Sequence, residues 1–243
     1  TRIFMRTKDE RTAMLIGEDA VEKLRGAKVA VFGIGGVGGY ATEALARAGV
    51  GELHLCDADT VSETNINRQI IATHDTVGRY KTEVMKERIL SINPDAKVNV
   101  YPIFFDDKTM GEIDFSGIDY IVDAIDTISP KCALITEALR RGIPIVSSMG
   151  AGAKSDITQI RFADIWDTYH CGLAKAVRTR LKKAGIRKSL PVVFSTEQAD
   201  RRAIITVEGE QNKKSTTGTI SYMPAVFGCY LAEYVIRKIT VNG

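Results

Sequence analysis

The sequence contains no Cys-x-x-Cys pair. Its four cysteines, at positions 56, 132, 171 and 229, stand far apart. That spacing offers neither the paired thiolates of a zinc knuckle nor the framework of a disulfide-stapled domain. The expectation is four reduced thiols and no zinc. Also lacking is an apolar run long enough to cross a bilayer, which takes about 20 residues. The most apolar stretch, YMPAVFGCYLAEYVI from Tyr222 to Ile236, is interrupted by Pro224, Gly228 and Glu233, so it reads as a buried or subunit-interface helix. No apolar core of a secretory signal stands among the first residues, and neither repeats nor low-complexity runs occur. The expectation is a cytoplasmic protein with no membrane partner. His54, His74 and His170 are scattered, which suits packing or surface positions better than a metal or catalytic cluster.

What is present is an ordinary globular composition. The 243 residues are 44% apolar and 26% charged, enough for a single domain with a generous core. Strand and helix patterns alternate. Lys28 to Phe32 predicts a strand, Val37 to Ala48 a helix and Glu52 to Cys56 the next strand. A helix over Tyr80 to Ile92, a strand over Val98 to Ile103 and a central strand over Asp119 to Ile125 follow. Lys131 to Arg141 reads as a helix and Ile143 to Ser147 as a strand. The pattern changes at Gly150 and Gly152. Beyond them the residues predict a helix over Leu173 to Ala184, strands over Pro191 to Ser195 and Ala203 to Val207, a loop over Thr216 to Thr219 and a last helix.

The turn after the first strand reads GIGGVG. Gly33, Gly35 and Gly38 occupy the glycine places of GxGxxG, and Asp57 follows nineteen residues after the last of them. In a βαβ setting this is the fingerprint of a dinucleotide fold. The predicted architecture is therefore α/β: a Rossmann-like, mainly parallel sheet with helices on both faces over about residues 1–150, and an α+β extension over 151–243. The glycines do not choose a nucleotide. Backbone N–H groups at a helix start accept any phosphate, Asp57 suits the ribose of ATP as well as that of NAD, and a purely structural turn also fits.

The next stretch discriminates. DADTVSETNINRQI supplies Asn65, Asn67, Arg68 and Gln69, and Lys81 follows at the start of a helix. Hydride transfer adds no charge at a pyrophosphate. Displacement at an α-phosphorus does, and cations stabilise it. The central strand ends in DAIDT, which puts Asp126 at the carboxyl edge of the sheet, a candidate to hold the Mg²⁺ of a nucleoside triphosphate. Asp59 and Asp123 fit support of the site or simple turn capping.

The combination GxGGVG, DxDxVxxxNxxRQ, Lys and DAxD resembles the ThiF-like, ATP-dependent activating enzymes related to ubiquitin activation. Along almost the whole chain the sequence further resembles one branch, the tRNA threonylcarbamoyladenosine dehydratases. The resemblance is carried by RTAMLIG at Arg11 to Gly17, NINRQI, DAIDT, VFSTEQ at Val193 to Gln198, and GTISYMPAVFG. It implies ATP held by Gly33, Gly35, Gly36, Gly38, Asp57 and Gln69. Asn65, Arg68 and Lys81 would lie on the phosphates and Asp126 on Mg²⁺. It also implies a homodimer in which Arg11 reaches the partner's triphosphate. The implied substrate is a tRNA carrying N6-threonylcarbamoyladenosine beside the anticodon, whose threonyl carboxylate is adenylated before the side chain closes on itself. Ring closure needs no enzyme thiol, because the attacking group belongs to the activated molecule.

Two departures matter. The zinc-binding CxxC pairs of several bacterial relatives are absent, which favours the tRNA branch. Cys171 stands in YHCGLAK, where the branch implies an acid and a proline. The runner-up function is adenylation of the C-terminal carboxylate of a ubiquitin-like sulfur carrier. A sulfur-transfer protein stays open as a further partner, and an NAD oxidoreductase or a non-catalytic nucleotide module is the outgroup.

Between His170 and Lys188 stand seven Lys or Arg and no Asp or Glu. Leu173, Val177 and Leu181 form an apolar stripe there, and Lys175, Arg178 and Lys182 fall on another face. A solvated face accounts for such charge in general. Beside a tRNA-modifying resemblance, the three cations become the candidate contacts to the tRNA backbone.

Overall fold

A computed structural model describes residues 7–206 and 215–241. Two helices open the chain, α1 (Glu10–Ile16) and α2 (Glu18–Gly26). Then come β1 (Lys28–Phe32), α3 (Gly36–Arg47), β2 (Glu52–Cys56), α4 (Lys81–Ile92) and β3 (Lys97–Tyr101). The chain continues through β4 (Tyr120–Asp123), α5 (Ile128–Arg141), β5 (Ile145–Ser148), β6 (Ile160–Asp164) and α6 (Gly172–Lys183). It ends with β7 (Pro191–Ser195), β8 (Ile204–Thr206), β9 (Ser215–Thr217) and α7 (Tyr222–Val241).

One sheet takes the order β3-β2-β1-β4-β5-β7-β6. All its pairs are parallel except β6 with β7. Every residue of β4 and β5 is buried, as strands covered on both faces must be. One face packs Leu45, Met85, Ile89, Phe227 and Leu231 from α3, α4 and α7; the other packs Leu134, Ile135, Val177 and Leu181 from α5 and α6. The apolar stretch after Tyr222 is thus a helix buried within its own chain. It approaches α3 so closely that a Cβ at Gly228 would lie 2.4 Å from the Val37 carbonyl oxygen, a contact only glycine permits.

Several elements differ from the sequence expectations. Helix α1 buries no residue and exposes Met14 and Leu15, so it carries no apolar stripe. Strand β6 was not expected because, after the buried Ile160, Arg161 and Phe162 are exposed. Helix α5 starts at Ile128, with Pro130 in the first turn, where a missing N–H leaves no hydrogen bond unmade. Strand β4 stops at Asp123, and Ala124 and Ile125 form a turn. Thr216 and Thr217, expected in a loop over Thr216 to Thr219, lie in β9 and pair with β8; Val207 of the predicted strand lies outside the described residues. Among the described residues no helix is long and apolar enough to cross a membrane.

Strand β1 has β2 on one side and β4 on the other, so the direction of winding reverses there. The carboxyl ends of β1, β2 and β4 therefore open a crevice, the position where α/β sheets bind ligands.

Candidate active site

The crevice is a cavity of about 310 Å³ whose lining includes Gly33, Gly35, Asp57, Arg68, Lys81 and Asp126. Of the other candidates, Gly36, Asn65 and Gln69 also line it. Gly38 is not among the residues that line it. A Cβ at Gly38 would lie 1.7 Å from the Gly33 carbonyl oxygen, so this glycine lets the first turn of α3 pack on the loop. Gly33 is constrained twice: its φ is +87°, and a Cβ would meet the Ala124 oxygen at 2.7 Å. Gly35 is different. Its nearest neighbour outside the local chain is the Gln69 amide at 3.7 Å, and it precedes the uncapped N-terminus of α3. That leaves open space in front of unused N–H donors and the positive end of the helix dipole, the combination that receives an anion.

Acceptors and donors both face this space. The Asp57 carboxylate accepts from the Ile34 N–H at 2.6 Å and from the Asp59 N–H at 2.8 Å, which fixes its orientation at the end of β2. Burial pushes its carboxyl above the ordinary range, and Lys81 partly opposes the shift. Gln69 is buried, and its side-chain oxygen has no hydrogen-bond partner. A buried orphan acceptor is costly unless a ligand supplies the donor. Asn65 is half committed: its side-chain oxygen accepts from the Ser62 N–H at 3.0 Å in a capping box, so only its amide N–H₂ remains for a ligand. Cys56 also lines the cavity, and burial pushes its thiol up to about 12, which keeps it protonated and a poor nucleophile.

Two cations line the same cavity. Lys81, the first residue of α4, is buried, with Nζ 2.9 Å from Asp59. Arg68 donates to the Thr64 carbonyl and to the Asn67 side chain, each at 2.8 Å, so its guanidinium is held at the rim. Asp126 follows β4 and is exposed. One carboxylate at a phosphate site fits Mg²⁺, which keeps its waters and takes few protein ligands. Arg11 is exposed on α1 and is not among the residues that line this cavity.

A second cavity, about 1420 Å³, shares Arg68, Asp126, Gly150 and Gly152 with the first and extends to Lys154 and Cys171. Lys154 is buried, donates to the Ser195 carbonyl at 2.8 Å, and has its amine pushed down by burial. Cys171 is the N-cap of α6, where its sulfur accepts from the Ala174 N–H at 3.5 Å. It replaces the expected acid in a role that needs only an acceptor.

The basic helix divides. Lys175 is exposed, and Lys182 is exposed with its amine 5.8 Å from the Trp166 ring. Arg178 is half-buried and donates to the Thr168 carbonyl at 2.9 Å and to the Thr168 hydroxyl. Its guanidinium ties α6 to the turn before it, which leaves Lys175 and Lys182 as the more accessible of the three candidate cations.

A glycine turn, a ribose acceptor and two cations around one cleft define a nucleotide-binding α/β protein built to manage charge at phosphorus. The chain belongs to the ThiF family, whose sequence pattern matches residues 9–243. It is 41% identical over 236 residues to the tRNA threonylcarbamoyladenosine dehydratase of Bacillus subtilis, covering 94% of this chain and 93% of that protein. Its structure resembles that of the Escherichia coli tRNA N6-threonylcarbamoyladenosine dehydratase in complex with ATP, with a TM-score of 0.89 at 38% identity, covering 98% of this chain and 95% of that one. Likeness to the yeast (Saccharomyces cerevisiae) adenylyltransferase and sulfurtransferase UBA4, 34% identical, extends over 61% of this chain and 34% of that protein.

Proposed function

We propose that this chain is an ATP-dependent tRNA threonylcarbamoyladenosine dehydratase. The observation that carries the reading is the extent of the likeness to the Bacillus subtilis dehydratase, 94% of this chain. The sulfur-carrier alternative is represented by a likeness that extends over 61% of this chain.

ATP fits the first cavity: the orphan oxygen of Gln69 and the Asp57 carboxylate suit ribose hydroxyls, and the space before Gly35 suits a phosphate. The threonyl carboxylate attacks the α-phosphorus and pyrophosphate leaves, with Arg68 and Lys81 stabilising the charge that develops. The carbamoyl group of the same side chain then attacks the activated carbonyl, AMP departs, and the nucleoside has lost one water. Asp126 would hold a Mg²⁺ ion bound with the nucleotide, which would supply charge neutralisation at the phosphates. The attacking group is tethered to its target, so the protonated Cys56 has no part in the reaction.

The wider reading includes a homodimer. The exposed Met14 and Leu15 lie on α1, the helix that also carries Arg11, and burying them against a second copy would bring Arg11 to that copy's triphosphate. A tRNA substrate is in keeping with a cytoplasmic protein, and a sulfur-transfer protein is the open partner. The deciding experiment incubates the protein with Mg·ATP and tRNA bearing N6-threonylcarbamoyladenosine, followed by mass spectrometry of the nucleosides. Loss of one water is expected. No loss, together with ATP–pyrophosphate exchange stimulated by a small carrier protein with a free C-terminal carboxylate, transfers the assignment to the runner-up.

A further inference from the structure

Beneath the nucleotide cavity lies an ion pair with no access to water. Lys131 Nζ is 2.8 Å from Asp123 Oδ2, and both side chains are fully buried. Lys131 also donates to the Ile125 carbonyl at 2.7 Å, and Asp123 Oδ1 accepts the Ile125 N–H at 3.0 Å. The Ser147 hydroxyl donates to Asp123 as well. Both peptide units flanking Ile125 are therefore fixed, and the second of them carries the Cα of Asp126.

Stability alone gives no reason for this arrangement. A buried ion pair commonly contributes no more than apolar residues of equal volume, because desolvation offsets the attraction. The location is also unfavourable for a cation: Lys131 is in the second turn of α5, close to the positive end of the helix dipole. What the geometry does explain is the path of the chain. Helical side chains lean toward the N-terminus, so Lys131 reaches back under the turn that precedes its own helix. The turn is clamped above as well, since the Ala124 N–H donates to the Phe32 carbonyl at 2.8 Å and the Ala124 oxygen abuts Gly33.

We infer that Asp123 and Lys131 are positioning residues: they hold the turn of residues 124–127 so that the Asp126 carboxylate faces the phosphates of the bound nucleotide. The inference rests on the proposed role of Asp126 and extends it to a buried pair that touches neither ATP nor metal. Removing such indirect support from a metal-binding carboxylate typically weakens metal affinity by about 10- to 100-fold.

The test is ATP binding without tRNA, titrated in EDTA and across Mg²⁺ concentrations, for the parent, Asp126→Asn, Lys131→Met and the doubly neutral Asp123→Asn/Lys131→Met. In the double variant the affinity in EDTA should stay near the parent's, while the Mg²⁺ midpoint should rise by about 10-fold or more, as in Asp126→Asn. The single variant strands a buried carboxylate and is the one expected to fold poorly. A folded double variant that keeps the parent's Mg²⁺ midpoint overturns the inference. So does one whose affinity falls equally in both conditions, which marks a general loss of structure. If the double variant does not fold, Ser147→Ala decides: deleting one donor to Asp123 should raise the midpoint about twofold or more, and an unchanged midpoint overturns the inference. A parent whose ATP affinity ignores Mg²⁺ overturns it too. Because tRNA is absent, failure here is distinct from failure to dehydrate the nucleoside.

Discussion

The amine of Lys81 lies 2.9 Å from the Asp59 carboxylate, with 7% of the Lys81 side chain exposed against 71% of Asp59. The asymmetry matters. Asp59 keeps its solvation and gains little from the pair, whereas the buried Lys81 requires an anion. A triphosphate entering the cavity is a stronger one, so Lys81 can pass from Asp59 to phosphate without becoming unpaired. Lys81→Ala should reduce ATP–pyrophosphate exchange by about 10²- to 10³-fold, the usual effect of removing one donor to developing charge. Circular dichroism should stay that of the parent. Asp59→Asn should change the KM for ATP more than kcat. Exchange near the parent's rate in a folded Lys81→Ala protein would remove this lysine from the mechanism.

Two glycines of one motif should fail in different ways. Gly38→Ala forces a Cβ to 1.7 Å from a backbone oxygen, whereas Gly35→Ala meets nothing nearer than 3.7 Å. The first should lower the melting temperature sharply or prevent accumulation of folded protein. The second should melt near the parent and bind ATP weakly, because its methyl occupies space left for a phosphate. The reverse pattern, a cold-melting Gly35→Ala and a stable Gly38→Ala, would show that the loop has another shape.

The sheet was legible because β1, β2, β4 and β5 bury nearly every residue, and continuous apolar runs between helical patterns have few other readings. Helix α1 was not, since a helix with no buried face leaves no periodicity. That Gly33, Gly35, Gly36, Asp57, Asn65, Arg68 and Gln69 would share one cavity was legible from a local motif, Gly33 to Gly38 and then Asp57 to Gln69. The roles within it were not. Nothing in the sequence says that Gly38 faces Gly33, that Asn65 spends its oxygen on Ser62, or that Lys131 folds back under Ile125. Each depends on a neighbour brought in by the fold. Arg178 shows the same limit: its helical face is predictable, but its partner Thr168 is not.

Glu137 gives stability a pH signature. Hydrogen bonds from Arg140 and Arg141 hold its carboxyl down to about 2, below the ordinary Glu value of about 4.3. A depressed folded-state value means the contribution is complete above the unfolded value and is lost as pH falls from about 4 toward 2. Glu137→Gln should therefore melt below the parent at pH 7, and the two melting temperatures should converge as the pH is lowered through that window. A constant difference between pH 7 and pH 2.5 would show that the guanidinium groups do not hold the carboxylate in solution.

The tRNA path can be separated from the integrity of α6, because the structure divides the cations of that helix by role. Arg178 is engaged with Thr168, so Arg178→Gln should lower the melting temperature while leaving the salt dependence of tRNA binding unchanged. Lys175 and Lys182 are exposed, and changing both to Gln should leave the fold and the ATP affinity intact. If each touches a phosphate, the plot of log affinity against log salt should flatten by about 0.7–0.9 per contact, since each neutralised phosphate releases condensed counterion. The expected loss is therefore about 1.4–1.8 units of slope for the pair. A double variant with the parent's affinity and slope would make α6 a solvated face, and the next lysines to change would be Lys213 and Lys214, which lie outside the described residues. A flattened slope for Arg178→Gln alone would mean that this guanidinium leaves Thr168 for the tRNA, and the turn before α6 would then have to rearrange on binding.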